Sequence, residues 1–269
     1  MESCEIDVIA TGDEIIFGQL IDTNSAWIAK LSTEQGARVR RISCIGDHLE
    51  DIVQAIQRGI SDGRHIIVMT GGLGPSQDDL TVEALAKALE REVIFDQIAT
   101  KMLETRCNEF DIQLTDRRMR MARSVSGARA LENLIGLAPG ILVTDSRCTI
   151  IALPGIPKEM KPMFKKCVLH LIEENTKKKS AALSLTLNMS LSDFFQIITE
   201  LRHMFPEAYI KRHARPPNRG RGHHELEPLG IDIVVWRDTV QACEARIAEI
   251  KDKLSELARE RGGTISEKS

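Results

Sequence analysis

Aromatic residues make up only 4% of the 269-residue chain: 7 Phe, 2 Trp and 1 Tyr. A surface of stacked aromatic platforms for nucleic-acid bases is excluded, and the core must be mostly aliphatic. Charge of one sign is also lacking. Lys and Arg number 36 against 39 Asp and Glu, a net charge of -3, which excludes a polybasic nucleic-acid binder on bulk charge. No apolar run approaches the roughly 18 residues that a membrane span needs. The start, Met1-Glu2-Ser3-Cys4-Glu5, has neither the basic nor the apolar region of a secretory signal. The cysteines, at 4, 44, 107, 148, 167 and 243, form no CxxC pair. That pattern excludes a disulfide frame or zinc knuckle and leads us to expect reduced thiols in a cytoplasmic protein.

What is present is a globular composition, 42% hydrophobic and 28% charged. At roughly 150 residues per domain the length corresponds to about 1.8 domains, one large and one small. Strand and helix signals alternate over the first two-thirds. Ile6–Ala10, Val39–Ile45 and His65–Thr70 read as strands. Asn24–Gln35, capped by Asp22 or Thr23 and stopped by Gly36, and Leu49–Ile60 read as helices, and another starts near Thr81. The run Ile66-Ile67-Val68-Met69 reads as a strand buried on both faces. The pattern predicts an α/β fold, a mostly parallel sheet with helices on both faces in three layers. Residues 96–122 read as helical, Gly140–Val143 and Cys148–Leu153 as strands joined by a tight turn at 145–147, and Lys158–Glu174 as a helix. The charged run Asn175–Ser180 reads as a linker, and a short β-α-β-β-α string follows. We expect domains at 1–175 and 180–262.

The outstanding local feature is Thr70-Gly71-Gly72-Leu73-Gly74-Pro75-Ser76-Gln77-Asp78-Asp79-Leu80-Thr81, directly after a buried strand and before a helix. In an open α/β sheet ligands bind there, outside the carboxyl ends of the strands. Glycines let backbone N–H groups approach an anion, and a helix N-terminus favours negative charge. The loop therefore suits phosphate. It is neither a P-loop, lacking Gly-Lys-Ser/Thr, nor the G-x-G-x-x-G fingerprint. Asp78 and Asp79 would repel a phosphate unless a divalent metal lies between. The alternative is that Asp79 caps the following helix. Asp47 and Gly12-Asp13-Glu14 follow two other predicted parallel strands, so three acidic groups are expected at one sheet edge. Pro154-Gly155-Ile156-Pro157-Lys158-Glu159-Met160 follows another strand, and Asn133 lies in a Gly/Pro turn before Gly140.

These stretches resemble the CinA-type, competence-damage-inducible family, whose first domain has the molybdopterin-binding, MoaB/Mog-like fold. The matching residues are Gly12-Asp13-Glu14-Ile15-Ile16, Gly18-Gln19, Asp22-Thr23-Asn24, Gly46-Asp47, Gly71–Pro75 through Asp79-Leu80-Thr81, Asn133, Gly136, Ala138-Pro139-Gly140 and Leu153–Met160. Residues 180–260 resemble the smaller α+β, KH-like domain that follows in the family. A lysine-serine-type motif of that domain reads here as Lys211-Arg212-His213. Bacterial relatives often add a C-terminal nicotinamide mononucleotide deamidase domain, to which nothing here corresponds, so activity is expected at the Gly71–Thr81 rim.

The resemblance implies a nucleotide pyrophosphatase that cleaves ADP-ribose or FAD, with a divalent metal (magnesium, cobalt or manganese) and room for a monovalent cation. It also implies a homo-oligomer, dimer or trimer. On this reading Asp79 and Asp47 hold the metal or orient the water, with Asp78 and Glu14 as further ligands. The amides of Gly71, Gly72 and Gly74 cradle a phosphate bordered by Thr70 and Gly155, and Ser76 and Thr81 hydrogen-bond its oxygens. Lys158 is a charge partner or a solvated helix lysine. Cys44 reads as a buried thiol. The alternatives are a non-catalytic pterin or nucleotide binder, and adenylyl transfer to molybdopterin. RNA binding through Arg212, Arg215, Arg219 and Arg221 lacks a GxxG clamp, having Gly220-Arg221-Gly222 instead. His223 and His224 read as metal ligands or, more simply, as exposed loop residues.

Overall fold

From Ile6 onward every residue of the strand Glu5–Thr11 is buried, which requires a layer on each side. A computed structural model describing residues 4–146, 148–212 and 228–267 supplies those layers. The first of two units, Met1–Lys177, runs β1 (Glu5–Thr11), α1 (Asp13–Ile16), α2 (Thr23–Glu34), β2 (Arg38–Ile45), α3 (Leu49–Ser61), β3 (Ile66–Thr70) and α4 (Thr81–Ala88). It continues through β4 (Val93–Phe95), α5 (Gln97–Glu109), α6 (Asp116–Met119), β5 (Arg123–Val125), β6 (Arg129–Leu131), β7 (Gly140–Asp145), β8 (Cys148–Leu153), α7 (Pro157–Cys167) and α8 (Leu169–Asn175). The main sheet has the order β2-β1-β3-β8-β7-β6. Its first four strands are parallel, and β7 and β6 join by antiparallel pairing.

Successive strand residues point to opposite faces, and two cores result. Ile6, Val8, Ile66 and Val68 pack with Ile28 of α2 and with Met160 and Phe164 of α7. Ile9, Ile67 and Met69 pack with Ile52 and Ile56 of α3 and Leu85 of α4. The three-layer, mostly parallel α/β fold is thus the one the sequence predicts. The helix starts follow the capping chemistry. Asp22 accepts a hydrogen bond from the Ser25 N–H at 2.9 Å to open α2, and Gly36, at φ 92°, ends it.

The second unit, Lys178–Ser269, runs β9 (Lys179–Asn188), α9 (Leu191–Met204), β10 (Tyr209–Arg212), β11 (Pro228–Arg237), α10 (Val240–Glu260) and β12 (Thr264–Glu267). Its antiparallel sheet has the order β10-β11-β9-β12. Leu185, Leu187, Ile231 and Ile233 pack with Phe194, Ile197, Ile250 and Leu254 of the two helices. Ser190 caps α9, as its spacing to Asp193 predicts.

The structure corrects several expectations. Residues 96–122 are not one helix: α5 stops at Glu109, Asp111 takes φ 54°, and a Thr115 cap starts α6 afresh. The strands β4 and β5 form a separate antiparallel ribbon that the sequence reading lacks. The 158–174 helix breaks at Val168 into α7 and α8. The 175–180 linker is shorter than read, because Lys179 and Ser180 pair with Arg237 and Trp236 in the sheet. A final strand, β12, pairs with β9 and was not expected. Cys44 is exposed, since β2 is an edge strand. Arg147 of the β7–β8 turn lies outside the described residues. Among the described residues no helix is long and apolar enough to cross a membrane.

Candidate active site

Parallel pairing sets Cys44, Ala10, Thr70 and Leu153 level across β2, β1, β3 and β8. The loops that follow these residues therefore leave the sheet at one rim. They line a cleft of about 1030 Å³, at the large end of ligand pockets. Phe110, Ile112, Met121 and Leu137 supply an apolar wall.

The glycine loop is held tightly from below. Gly71 has φ 105°, and a Cβ there would lie 2.4 Å from the Thr11 carbonyl oxygen, so only glycine fits. The Gly71 N–H donates to the Leu153 carbonyl at 3.0 Å, and the Gly71 carbonyl accepts from the Thr81 hydroxyl at 2.8 Å. The Asp79 carboxylate folds back and accepts the Ser76 N–H at 2.7 Å. A Cβ on Gly74 would lie 2.7 Å from that carboxylate. Arg120 donates to the Ser76 carbonyl at 3.2 Å. The N–H groups of Gly72 and Gly74 make no hydrogen bond among the described residues.

The acidic groups converge as expected from their strand ends. The Asp13 N–H donates to the Asp47 carboxylate at 3.1 Å, and the Asp47 N–H to the Asp13 carboxylate at 3.0 Å. Burial raises the pKa of Asp47 above the ordinary carboxylate value. The Asp13 N–H opposes this rise, and the charges of Asp13, Glu14 and Asp79 add to it. Asp78 is exposed on the same cleft.

Among the described residues two buried polar atoms of the cleft lack partners: Thr11 is 4% exposed and Asn24 8%, and neither Thr11 Oγ1 nor Asn24 Oδ1 makes a hydrogen bond. Asn24 is fixed in orientation. Its Nδ2 donates to the Gly155 carbonyl at 2.7 Å and to Thr70 Oγ1 at 3.1 Å, and that hydroxyl donates to the Pro154 carbonyl at 3.0 Å. A buried unmet polar group costs about 1–3 kcal/mol, a cost that folds tolerate at functional sites.

Some expected roles change. Thr81 is fully buried with its hydroxyl engaged by Gly71, so it braces the loop and does not face a phosphate. Thr70 likewise braces Asn24 and Pro154. The Gly71 amide is engaged by Leu153 and is not part of a cradle. Asp79 does not cap the next helix, since α4 has Leu80 as its cap residue and no side-chain cap bond. Lys158 is exposed and lies outside the cleft lining, a solvated helix lysine. Arg215, Arg219, Arg221, His223 and His224 fall outside the described residues, as do His213 of the Lys211-Arg212-His213 stretch and the Gly220–Gly222 segment. The reading assigned no role to Asn24 or Glu159, though both lie in the quoted family stretches. It also missed Phe110, Ile112 and Met121, hidden inside a supposed continuous helix.

Among the described residues no three His, Cys, Asp or Glu side chains gather into a metal-holding group. The donor chemistry fits a magnesium-type ion, which takes one or two carboxylates together with phosphate oxygens. It does not fit a preformed cage made only of protein ligands.

A parallel α/β sheet with a glycine loop and facing carboxylates at its strand ends defines a small-molecule-binding α/β domain. The family described as "Probable molybdopterin binding domain" matches residues 7–174, and the chain belongs to it. A protein of Sulfurisphaera tokodaii is 34% identical over 267 residues, covering 98% of this chain and 99% of its own length. One from Aeropyrum pernix is 30% identical over 263 residues, covering 97% and 96%. Among solved structures, the protein CinA of Thermoplasma acidophilum, described as of unknown function, is 34% identical. It covers 62% of this chain and 98% of its own, with a TM-score of 0.58. The resemblance to the CinA type is thereby borne out.

Proposed function

We propose that the cleft binds a nucleotide derivative such as ADP-ribose or FAD and hydrolyses its phosphoanhydride with a divalent metal. The observation that carries this reading is the pairing of free Gly72 and Gly74 N–H groups with the Asp13–Asp47–Glu14–Asp79 carboxylates at one rim. The two glycine amides donate to phosphate oxygens. Asp47 and Asp79, aided by Asp78 and Glu14, would hold the ion. When bound, it supplies charge neutralisation at the phosphate oxygens. Asp47 orients the attacking water and takes its proton as the new P–O bond forms. The anhydride P–O bond breaks, and the second phosphate leaves as an anion.

The test is AMP release from ADP-ribose and FAD with magnesium, cobalt or manganese, repeated with chelator. Metal-dependent release supports the reading, and release unchanged by chelation removes the metal from it. The second reading is binding without turnover. It draws on the engagement of Asp13, Asp47 and Asp79 with backbone amides, which leaves fewer oxygens for an ion. Tight calorimetric binding of ADP-ribose with no AMP release under any metal would favour it.

A further inference from the structure

Beside the phosphate loop, one wall of the cleft holds a carboxylate with no charge partner among the described residues. Glu159 sits in the first turn of α7 and lines the cleft. Asn133, 3% exposed, donates through Nδ2 to Glu159 Oε2 at 2.7 Å. The same amide donates to the Ala138 carbonyl at 3.0 Å, while Asn133 Oδ1 accepts the N–H groups of Ile135 at 3.1 Å and Gly136 at 2.9 Å. That exhausts the hydrogen-bonding capacity of Asn133. It cannot touch a ligand, and it can neither flip nor release the carboxylate without breaking its own turn.

The backbone is pressed against the same group: a Cβ on Gly136 would lie 2.0 Å from Glu159 Oε2. Arg106 secures this stretch from behind by donating to the Gly136 carbonyl at 3.1 Å, and it forms its ion pair with Glu109 instead of Glu159. Glu159 therefore has one oxygen held and the other without a partner, and among the described residues it forms no ion pair. Among the described residues Asn133 is the one donor that reaches this carboxylate, and the second oxygen of this cleft-lining side chain is open to another.

We propose that Glu159 is a specificity-determining residue, accepting hydrogen bonds from a paired O–H or N–H donor on the ligand, with Asn133 as its positioning residue. The inference rests on the reading that the cleft takes a phosphate-bearing ligand, and it adds what the other part of that ligand must offer. Two chemistries supply such a pair, the vicinal diol of a ribose and the amidine-like edge of a guanine or pterin ring.

The experiment is calorimetric binding to the full chain of four probes: inorganic pyrophosphate, AMP, 2′,3′-dideoxy-AMP and GMP. It is run on wild type and Glu159→Gln, with melting temperatures for both. Glutamine keeps the shape and can still accept from Asn133, but it turns an N–H₂ donor toward the ligand. Expected are an unchanged or higher melting temperature, unchanged pyrophosphate binding, and a loss of about tenfold for the donor-bearing nucleotide. If the diol is read, wild type prefers AMP over its dideoxy form and the variant loses that preference. If the amidine edge is read, wild type prefers GMP over AMP and the variant loses that one. The proposal is overturned if the variant keeps every preference of wild type, or weakens pyrophosphate as much as the nucleotides. Glu159→Ala, which introduces no donor, should erase the same preference. A wild type that binds none of the four, pyrophosphate included, fails the phosphate reading itself and takes this assignment with it.

Discussion

Asp13 and Asp47 hold each other through both backbones: each N–H donates to the other's carboxylate, at 3.1 and 3.0 Å. This reciprocal brace ties the loop after β1 to the loop after β2. It also fixes two negative groups side by side where Glu14 and Asp79 add their charge. Repulsion held in place by backbone hydrogen bonds is a stored demand for positive charge at this rim.

Asp47→Asn relieves that repulsion while its amide oxygen can still accept the Asp13 N–H. Because the folded chain raises the pKa of Asp47, its stabilising contribution is full below the ordinary carboxylate value and is lost as pH rises through the raised one. Wild type should therefore gain stability on mild acidification, and the variant should lack that component and melt no lower at neutral pH. AMP release should fall about 10²–10³-fold. Thermal melts across pH, with turnover at neutral pH, check both halves.

Asp79 serves the loop and the ion together, so its variants should separate. Asp79→Asn keeps an acceptor for the Ser76 N–H and should lose about 10²–10³ in turnover with the fold intact. Gly74→Ala drives a methyl into the same carboxylate, which must move, and should reduce turnover without lowering the melting temperature appreciably. Wild-type rates from either variant would remove Asp79 from the chemistry.

Thr81→Val tests the reassignment of that hydroxyl from phosphate ligand to loop brace. It leaves the buried Gly71 carbonyl without its donor, at a cost of about 1–3 kcal/mol in stability. A direct phosphate ligand would instead show weaker pyrophosphate binding at unchanged stability. Denaturant titration and calorimetry distinguish the two.

Far from the cleft, Asp7 lies within the apolar β1 strand at 3% exposure. Arg64 Nε reaches it at 2.7 Å and Arg41 Nη1 at 3.0 Å, and both arginines also reach Asp62. Arg64→Met removes one partner of a buried charge and should destabilise the protein by about 3–5 kcal/mol, read by denaturant unfolding. Asp7→Asn should recover part of that loss in the double variant.

In the second unit, burial would raise the pKa of Glu207, but its own backbone N–H and the guanidinium groups of Arg246 and Arg237 outweigh burial and hold the carboxyl down at about 2. A depressed carboxyl adds stability above its ordinary pKa and loses it as pH falls toward the lowered value. Glu207→Gln should therefore lower the melting temperature at neutral pH and make little difference near pH 2.

Much of this architecture was legible because local chemistry and tertiary context agree. The run Ile66–Met69 has no polar position, so it had to be buried on both faces, and β3 is. Asp22, Gly36 and Ser190 end or start helices by side-chain and backbone rules that act within a few residues. The convergence of Asp47 and Asp79 followed from strand direction, since β2 and β3 run parallel on either side of β1 and their loops leave at the same rim.

The layers, the parallel sheet and the edge at which the acidic and glycine loops meet can be read along the chain, because period and capping are local properties. What each loop atom is free to do emerges only once distant segments fold together. Thr81, Thr70 and the Gly71 amide look like ligand groups in one dimension, and all three are engaged by residues 10 to 84 positions away. Asn24 and Glu159 look like ordinary helix residues, yet among the described residues Asn24 holds a buried oxygen with no partner and Glu159 has one oxygen held by Asn133 and one open, because the bonds that orient them come from distant strands and turns. Hydrogen-bond satisfaction is a property of the folded neighbourhood, and no spacing along the chain encodes it.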